Sequence, residues 1–433
     1  MNLPSKKQAW FGWCMYDWAN SSFATVILAA VLPVYLVSLI PTQGAHLALF
    51  GFSRTVPATA LWGYAVSFSM LLVAVSAPYL GALADRHALH RRLLIVFSLT
   101  GAGATALLAT AGPGEYLLAA GLFIVANVGF AAGNVFYNAF LPSLAGEGEL
   151  DRLSARGFAY GYLGGGLTLL AVFALIQGYE FFGFADKGAA TRAGFLFTGA
   201  WWLLFALPAF AFLRGATAPL PADSPLRRVR GYLQTFTEIR SYPDLLLFLV
   251  AFLFYNDGIQ TIIVVSAIFG REELGLSQGE ILGCFLMIQF VAMPGTLAFG
   301  RLAEKIGAKG AVLISLLLFV AVTVFAFFMN AAWHFWVLSL VVAIIFGGSQ
   351  AVSRSLFGAL IPEGKSAEFF GFYAISSKFA SVFGPLVFAL IADLTGSTRL
   401  SILALTAFFA VGILLLSRVD MPRGRAAARG VLP

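Results

Sequence analysis

Residues 81–92 read GALADRHALHRR, and residues 300–309 read GRLAEKIGAK. In each, a glycine stands four residues before an acid that a base follows directly: Gly81, Asp85 and Arg86 in the first, Gly300, Glu304 and Lys305 in the second. Two more pairs of segments keep the same order. NVFYNAFLP, ending at Pro142, corresponds to SRSLFGALIP, ending at Pro362, and SARGFAYGY from Ser154 corresponds to SAEFFGFYA from Ser366. Three matches in one order argue that the chain is a duplicated unit.

What is duplicated is a set of apolar windows. The 433 residues are 60% hydrophobic and only 11% charged, with mean hydropathy +0.88. A soluble domain carries roughly 25% charge, so this chain lacks the polar groups to cover a wet surface. Windows bounded by charge or by Gly and Pro fall at 11–40, 62–84, 93–111, 115–141, 157–178 and 193–213, then at 244–268, 280–302, 311–329, 333–361, 367–392 and 399–417. A membrane helix needs roughly 20 residues, so each is long enough to cross. Window 11–40 is far longer than the apolar core of a signal peptide and reads as the first span. The expectation is an all-α integral membrane protein, twelve transmembrane helices in two pseudo-symmetric six-helix bundles. Residues 1–213 form the first bundle, 214–243 a linker with a short surface helix around Leu226–Ile239, and 244–433 the second bundle with a basic tail.

Charge placement predicts orientation, because Lys and Arg resist translocation. Most of the 27 Lys and Arg residues fall on one set of alternate loops, from Lys6 and Lys7 through Arg227, Arg228 and Arg230 to Arg423, Arg425 and Arg429. The other set receives Arg54, Lys187, Arg192, Arg271 and Arg399, while Arg354 and Lys378 lie within windows. Both termini, the linker and the two repeated loops are therefore expected on the cytoplasmic side. The net charge of +7 is then a topological signal, not a nucleic-acid footprint. Cys14 and Cys284 sit in apolar stretches, and His46, His87, His90 and His334 lack metal spacing. Gly364, Lys365 and Ser366 resemble the end of a phosphate loop, but Ala359 stands where its first glycine is required.

A charge in hydrocarbon costs at least ~2.5–3.5 kcal/mol on insertion scales, so intramembrane ionisable groups face an interior and have a task. The third window of each group of three has no ionisable residue in its middle, whereas the first windows are polar. They carry Asp17 with Asn20; Asn127 with Asn134 and Asn138; Asn256, Asp257 and Gln260; and Gln350 with Arg354. Gln289 and Lys378 add to these from the eighth and eleventh windows. Spacings of three, four and seven put each set on one helix face, as lining of a cavity between two halves or as interhelical glue. Gly129/Gly133 and Gly161/Gly165 read as close helix packing.

With these residues in view, the repeated loops resemble the signature loop of the major facilitator superfamily. The glycine permits close helix approach, the acid can accept from a nearby helix N-terminus or base, and the bases hold the cytoplasmic face closed. The first copy departs from that pattern: it has two extra residues before Arg91 and Arg92 and lacks the middle glycine that Gly307 supplies in the second. Within the superfamily, YDWANSSFATVILAAVLPVY from Tyr16 to Tyr35 closely resembles the first helix of the vacuolar amino-acid effluxer-like, autophagy-related family, and FYNDG from Phe254 to Gly258 is similar to that group. The resemblance implies the major facilitator fold and, from fungal members, export of neutral amino acids.

The function expected is secondary active transport of a small solute by rocking of the two halves, coupled to a proton or other ion. Asp17 is the candidate coupling carboxylate or anchor for a cationic group, and Arg354 and Lys378 are candidates for a substrate carboxylate. Gly81, Asp85, Arg86, Arg91, Arg92, Gly300, Glu304 and Lys305 form the candidate cytoplasmic gate. A drug or metabolite exporter of the same fold is the alternative. An enzyme is disfavoured because no metal pair or nucleophile with its base lies in the windows, and a receptor has no need of two matched halves. No cofactor, metal or nucleic acid is expected. The partners are a small-molecule substrate, the coupling ion and the lipid bilayer, and the protein is expected to be a monomer in a bacterial cytoplasmic (inner) membrane.

Overall fold

A computed structural model describes residues 4–49, 52–146, 148–217, 238–379 and 383–430. The first apolar window folds as α1 (Lys6–Ser22), a π-helical stretch (Phe23–Ala30) and α2 (Leu32–Leu39). Ser5 starts it with a capping box, its hydroxyl receiving the Gln8 N–H while the Gln8 side chain returns to the Ser5 N–H. Pro33 lacks an N–H and crowds the carbonyl four residues earlier, and the helix bends by 45° there. The remaining windows become α3 (Ala58–His87), α4 (His90–Leu107), α5 (Tyr116–Ala139) with the short α6 (Leu141–Leu144), α7 (Leu150–Gln177) and α8 (Lys187–Phe212). After the linker come α9 (Pro243–Leu274), α10 (Gln278–Ile306), α11 (Ala308–Phe328), α12 (Ala332–Gly358), α13 (Ser366–Phe379), α14 (Phe383–Thr395), α15 (Thr398–Ala404), α16 (Thr406–Ser417) and α17 (Met421–Ala428).

Among the described residues ten helices are long and apolar enough to cross a membrane, and the bent pair at the start makes an eleventh. The window at 367–392 is occupied by α13 and α14, with residues 380–382 between them outside the described part. The linker helix expected near Leu226–Ile239 falls almost wholly on residues outside the described part, as do Arg227, Arg228 and Arg230. One element departs from the all-helical expectation. Strands β1 (Ala45–Leu49) and β2 (Phe52–Val56) pair antiparallel, from Ala45 opposite Val56 to Leu49 opposite Phe52. FSRTV offers only strand-favouring residue types at Phe52, Thr55 and Val56, too short a signal for a reading built on long apolar windows. The basic tail also folds: α17 begins at Asp420, whose carboxylate accepts the Arg423 N–H.

The chain divides into two compact units: Met1–Ala77, Leu89–Asn138 and Tyr160–Thr217 in one; Pro78–Ala88, Ala139–Ala159 and Ala218–Pro433 in the other. In the first unit α1 packs on α8, and α4 on α8. Glycines set the spacing. A methyl at Gly161 would come 2.7 Å from Ser21 Oγ, one at Gly165 2.9 Å from Thr25, and one at Gly129 2.5 Å from Gly101 Cα, so the small residues do serve close packing. In the second unit α10 packs on α12 and α9 on α16, with Gly295 backed directly against Ile344. Leu204 and Leu207 of α8 and Leu317 and Phe328 of α11 are exposed, as lipid-facing helices require. So is a stripe on α3, Tyr64, Phe68, Leu71, Val75 and Tyr79, which the contrast between first and third windows did not anticipate.

Candidate functional site

In the first unit the polar residues of α1 meet α5. Asp17 is buried, and the Tyr137 hydroxyl donates to its Oδ2 at 2.7 Å. Tyr137 is itself fixed from two sides: its ring stacks on Trp13 (4.5 Å) and Tyr16 (4.9 Å), and Trp13 Nε1 donates to its carbonyl at 3.0 Å. Tyr16 Oη and Ser98 Oγ lie 3.0 Å apart. Because the Ser98 hydrogen already goes to the Leu94 carbonyl, Tyr16 is the donor of that pair. One turn on, Asn20 Nδ2 donates to Asn134 Oδ1 at 2.7 Å. Positions 13, 16, 17 and 20 recur at helical spacing, which is why one face of α1 carries the whole constellation. The three asparagines of α5 do not share one task. Asn127 is fully buried and donates to Ser69 Oγ at 2.8 Å, while Asn138 is half-buried. Sequence reasoning missed Trp13, Tyr16, Ser98 and Tyr137. For Trp13 and Tyr16 the signal was an aromatic residue with a polar tip within one turn of a buried acid; Ser98 and Tyr137 carried none.

In the second unit α9 and α12 repeat part of this arrangement. Tyr255 and Ser353 share a hydrogen bond of 2.7 Å, and Gln350 Nε2 donates to Asn256 Oδ1 at 2.9 Å. Asp257 faces elsewhere, and its Oδ2 accepts the Gly384 N–H at 2.8 Å. Gln260 and Gln289 are half-buried. Lys378 lies in α13, with its side chain outside the described residues. Arg354 is buried on the first turns of α7: Nε donates to Ser154 Oγ at 2.9 Å, Nη2 to the Ser154 carbonyl at 2.9 Å, and the guanidinium lies 4.2 Å over the Phe158 ring. Beside it Ser154 Oγ donates to the Ala351 carbonyl at 2.6 Å, and Ser355 hydrogen-bonds Asp151.

The repeated loops also belong in this account. Asp85 is buried, and its two oxygens accept the N–H groups of Ala367 (3.1 Å) and Glu368 (2.9 Å) in the first turn of α13. A carboxylate there satisfies orphan donors and meets the positive end of the helix dipole. Gly81, one turn earlier on α3, lets the backbones meet: a methyl there would lie 2.5 Å from the Ala367 carbonyl oxygen. Gly300 of α10 makes the matching approach to α7, its methyl position 2.5 Å from Ala155 Cβ. Glu304 and Lys305 are exposed, and Arg86 is half-buried. In the first unit Arg91 Nε donates to the Phe210 carbonyl at 2.7 Å, near the C-terminus of α8, and Arg92 is exposed. Lys365, at the entry to α13, is buried in an ion pair with Glu238.

Comparison with known proteins places this architecture. A family described as vacuole effluxer Atg22 like matches residues 5–151 and 148–429. The chain belongs to this Atg22-like family of the major facilitator superfamily. Its relatives include an uncharacterised MFS-type transporter, YxiO, of Bacillus subtilis, 35% identical with 94% of each chain covered. Autophagy-related protein 22 of Coccidioides immitis is 24% identical, covering 98% of this chain and 89% of that one. Among solved structures, the MFS transporter FucP in its outward conformation superposes with TM-score 0.69 at 14% identity, over 96% of this chain and 98% of FucP. A bacterial homologue of the iron transporter ferroportin gives 0.67 at 16%, over 96% and 99%. These likenesses establish the fold. The Atg22-like protein is thus a multi-pass membrane transporter of the major facilitator type and not an enzyme.

Proposed function

We propose that this Atg22-like protein moves a neutral amino acid across a bacterial cytoplasmic membrane by alternating access, as a monomer with both termini cytoplasmic and with proton coupling. The observation that carries the substrate class is the buried Asp17, presented by α1 with Tyr137 fixed against it and the Asn20–Asn134 amide pair one turn away. A carboxylate within an aromatic and amide surround is a seat for an ammonium group, and the relatives include fungal proteins named for autophagy in a family described as vacuole effluxers. Arg354 and Lys378 are the cations of the second half that can answer the substrate's carboxylate. Arg354 reaches that role by leaving Ser154 and Phe158, so its present bonds are the contacts that a cycle must break. Gly81, Asp85, Gly300 and the bases near them act as the gate that closes the basic end.

Proteoliposome flux with a panel of labelled amino acids, sugars and hydrophobic cations tests this reading. Uptake confined to neutral amino acids is expected, and uptake of the hydrophobic cations alone would transfer the protein to the exporter class. Asp17→Asn separates the roles of the acid: both proposed roles fail if gradient-driven uptake and solute exchange match wild type.

A further inference from the structure

Asp257 stands outside the arrangement just described, and its surroundings are unlike those of Asp17. It is 2% exposed. Its Oδ2 accepts the Gly384 N–H in the first turn of α14, whereas among the described residues no donor reaches Oδ1. The seat is built by a glycine: a methyl at Gly384 would collide with Thr261 Oγ1 and lie 2.9 Å from Asp257 Oδ1. The Thr261 hydroxyl offers no help, since its hydrogen goes to the Asp257 carbonyl. Three charges on the elements around α9 are engaged elsewhere. Arg354 of α12 bonds Ser154, Arg399 of α15 bonds Glu273, and Arg423 of α17 bonds Asp244. Asp393 of α14 is exposed, nine residues beyond Gly384, and α16 has no ionisable residue. α16 brings Phe408 and Phe409 against Gly258, the next residue of α9. Lys378 of α13 is a candidate counter-ion, its side chain outside the described residues.

A carboxylate anion needs donors on both oxygens, and a buried one that lacks them on one side is costly. A proton on Oδ1 removes the charge while Oδ2, now the carbonyl oxygen, still accepts the Gly384 N–H. We propose that Asp257 is the site of the coupling proton, held on Oδ1 in the conformation described and released to water when the first turn of α14 parts from α9. Asp17 is then left to the substrate. The inference rests on the transporter reading above, and it assigns loading and coupling to different helices.

The test uses the full-length protein in lipid, comparing wild type with Asp257→Asn, whose amide oxygen can still accept from Gly384. Infrared difference spectra between the two, taken at neutral pH without substrate, read the state of this one side chain. Loss of a protonated carboxylic-acid carbonyl band in the variant is expected. Loss of a carboxylate band, as an ion pair with Lys378 would give, overturns the proposal whether or not any amino acid is carried. With a transported solute in hand, Asp257→Asn should abolish accumulation driven by a pH gradient and keep solute exchange. Proton-driven accumulation at the wild-type level overturns the assignment and leaves the amino-acid reading intact. Should the asparagine variant not fold, Asp257→Glu serves instead: a protonated acid band that persists and driven uptake that survives support the site, and a carboxylate band refutes it.

Discussion

At the first copy of the loop motif Asp85 ends on two backbone N–H groups of α13; at the second, Glu304 is exposed and hydrogen-bonds to none of the described residues. The two loops are matched in sequence, so the cause lies in what each one faces. The equivalents of Ala367 and Glu368 are Ala155 and Arg156. But α13 begins at Ser366, which leaves those N–H groups in its orphan first turn, whereas α7 begins at Leu150 and has already spent the N–H groups at 155 and 156 on its own carbonyls. A capping acid at position 304 has nothing to cap. There the joint is made by other means, the Gly300–Ala155 approach, Arg354 on Ser154 and Ser355 on Asp151. The lesson is that a repeated motif transmits a position, and the start of the facing helix decides what that position does.

The strongest way to break the comparison is at the glycines. Gly81→Ala places a methyl against the Ala367 carbonyl, which cannot step aside without moving the helix. Overpacking of this kind costs about 1–3 kcal/mol, read as a fall in the thermal unfolding midpoint in detergent, and transport should fall with it. Ala367→Gly should not rescue it, because the obstacle is backbone. Gly300→Ala collides with the Ala155 methyl, the Asp151 carbonyl oxygen lying at an ordinary 3.7 Å, so Ala155→Gly should restore most of its loss. If both glycine variants are rescued alike, the two joints are not built as described.

Removal of the acids is the next test in size. Asp85→Ala leaves two buried N–H donors unmet and should cost about 2 kcal/mol, in the range of charge-assisted hydrogen bonds and strong caps, with Asp85→Asn in between. Glu304→Ala should stay within about 0.5 kcal/mol, as exposed substitutions do. Equal losses in matched melts would mean that Glu304 has a partner after all.

Both the motif and its unequal use bear on how much the sequence reveals. The apolar windows, the duplication and the identity of the buried polar helices were legible, because hydrophobic length and charge placement are one-dimensional signals. The sense of Gly81 was legible too, since glycine spacing is local chemistry, and for Asp85 the sequence offered a helix start or a base without choosing between them. The tie between Tyr137 and Asp17, the seating of Asp257 on Gly384 and the hold of Ser154 on Arg354 were not. Each joins residues more than a hundred positions apart, and the sequence alone does not rank one hydroxyl or backbone N–H above another. The β1–β2 hairpin escaped because five-residue strands leave almost no periodic trace.

A smaller effect probes the turn after each motif. The second copy passes through Gly307 at φ 84°, and the first, lacking a glycine, puts Ala88 at φ 54°. An L-residue with a Cβ is disfavoured there by roughly 1–2 kcal/mol, so Ala88→Gly should raise the unfolding midpoint slightly and Gly307→Ala should lower it. Opposite signs are required. A matching sign for both would show that neither turn is limited by its backbone.

The smallest effect lies at the far end of α9, where no motif is repeated and the tie is a side-chain pair. Glu273 hydrogen-bonds Thr398, and its Oε2 receives Arg399 Nε at 2.7 Å, while Arg399 also donates to the Phe327 carbonyl at 3.0 Å. The Thr398 hydroxyl, and after it Arg399, hold the Glu273 carboxyl below the usual glutamate range. A group whose pKa is lower folded than unfolded binds fewer protons in the native state, so its stabilisation is complete above the ordinary glutamate range and drains away as pH falls through the lower folded value. The pair is partly exposed, so the gain is that of a surface ion pair, about 0–1 kcal/mol. Melting midpoints of wild type and Glu273→Gln should therefore differ slightly at neutral pH and converge in acid, while the Gly81→Ala deficit, which is steric, should persist at both. A Glu273→Gln difference that widens on acidification would reverse the sign and remove the pair from the account of this end of the helix.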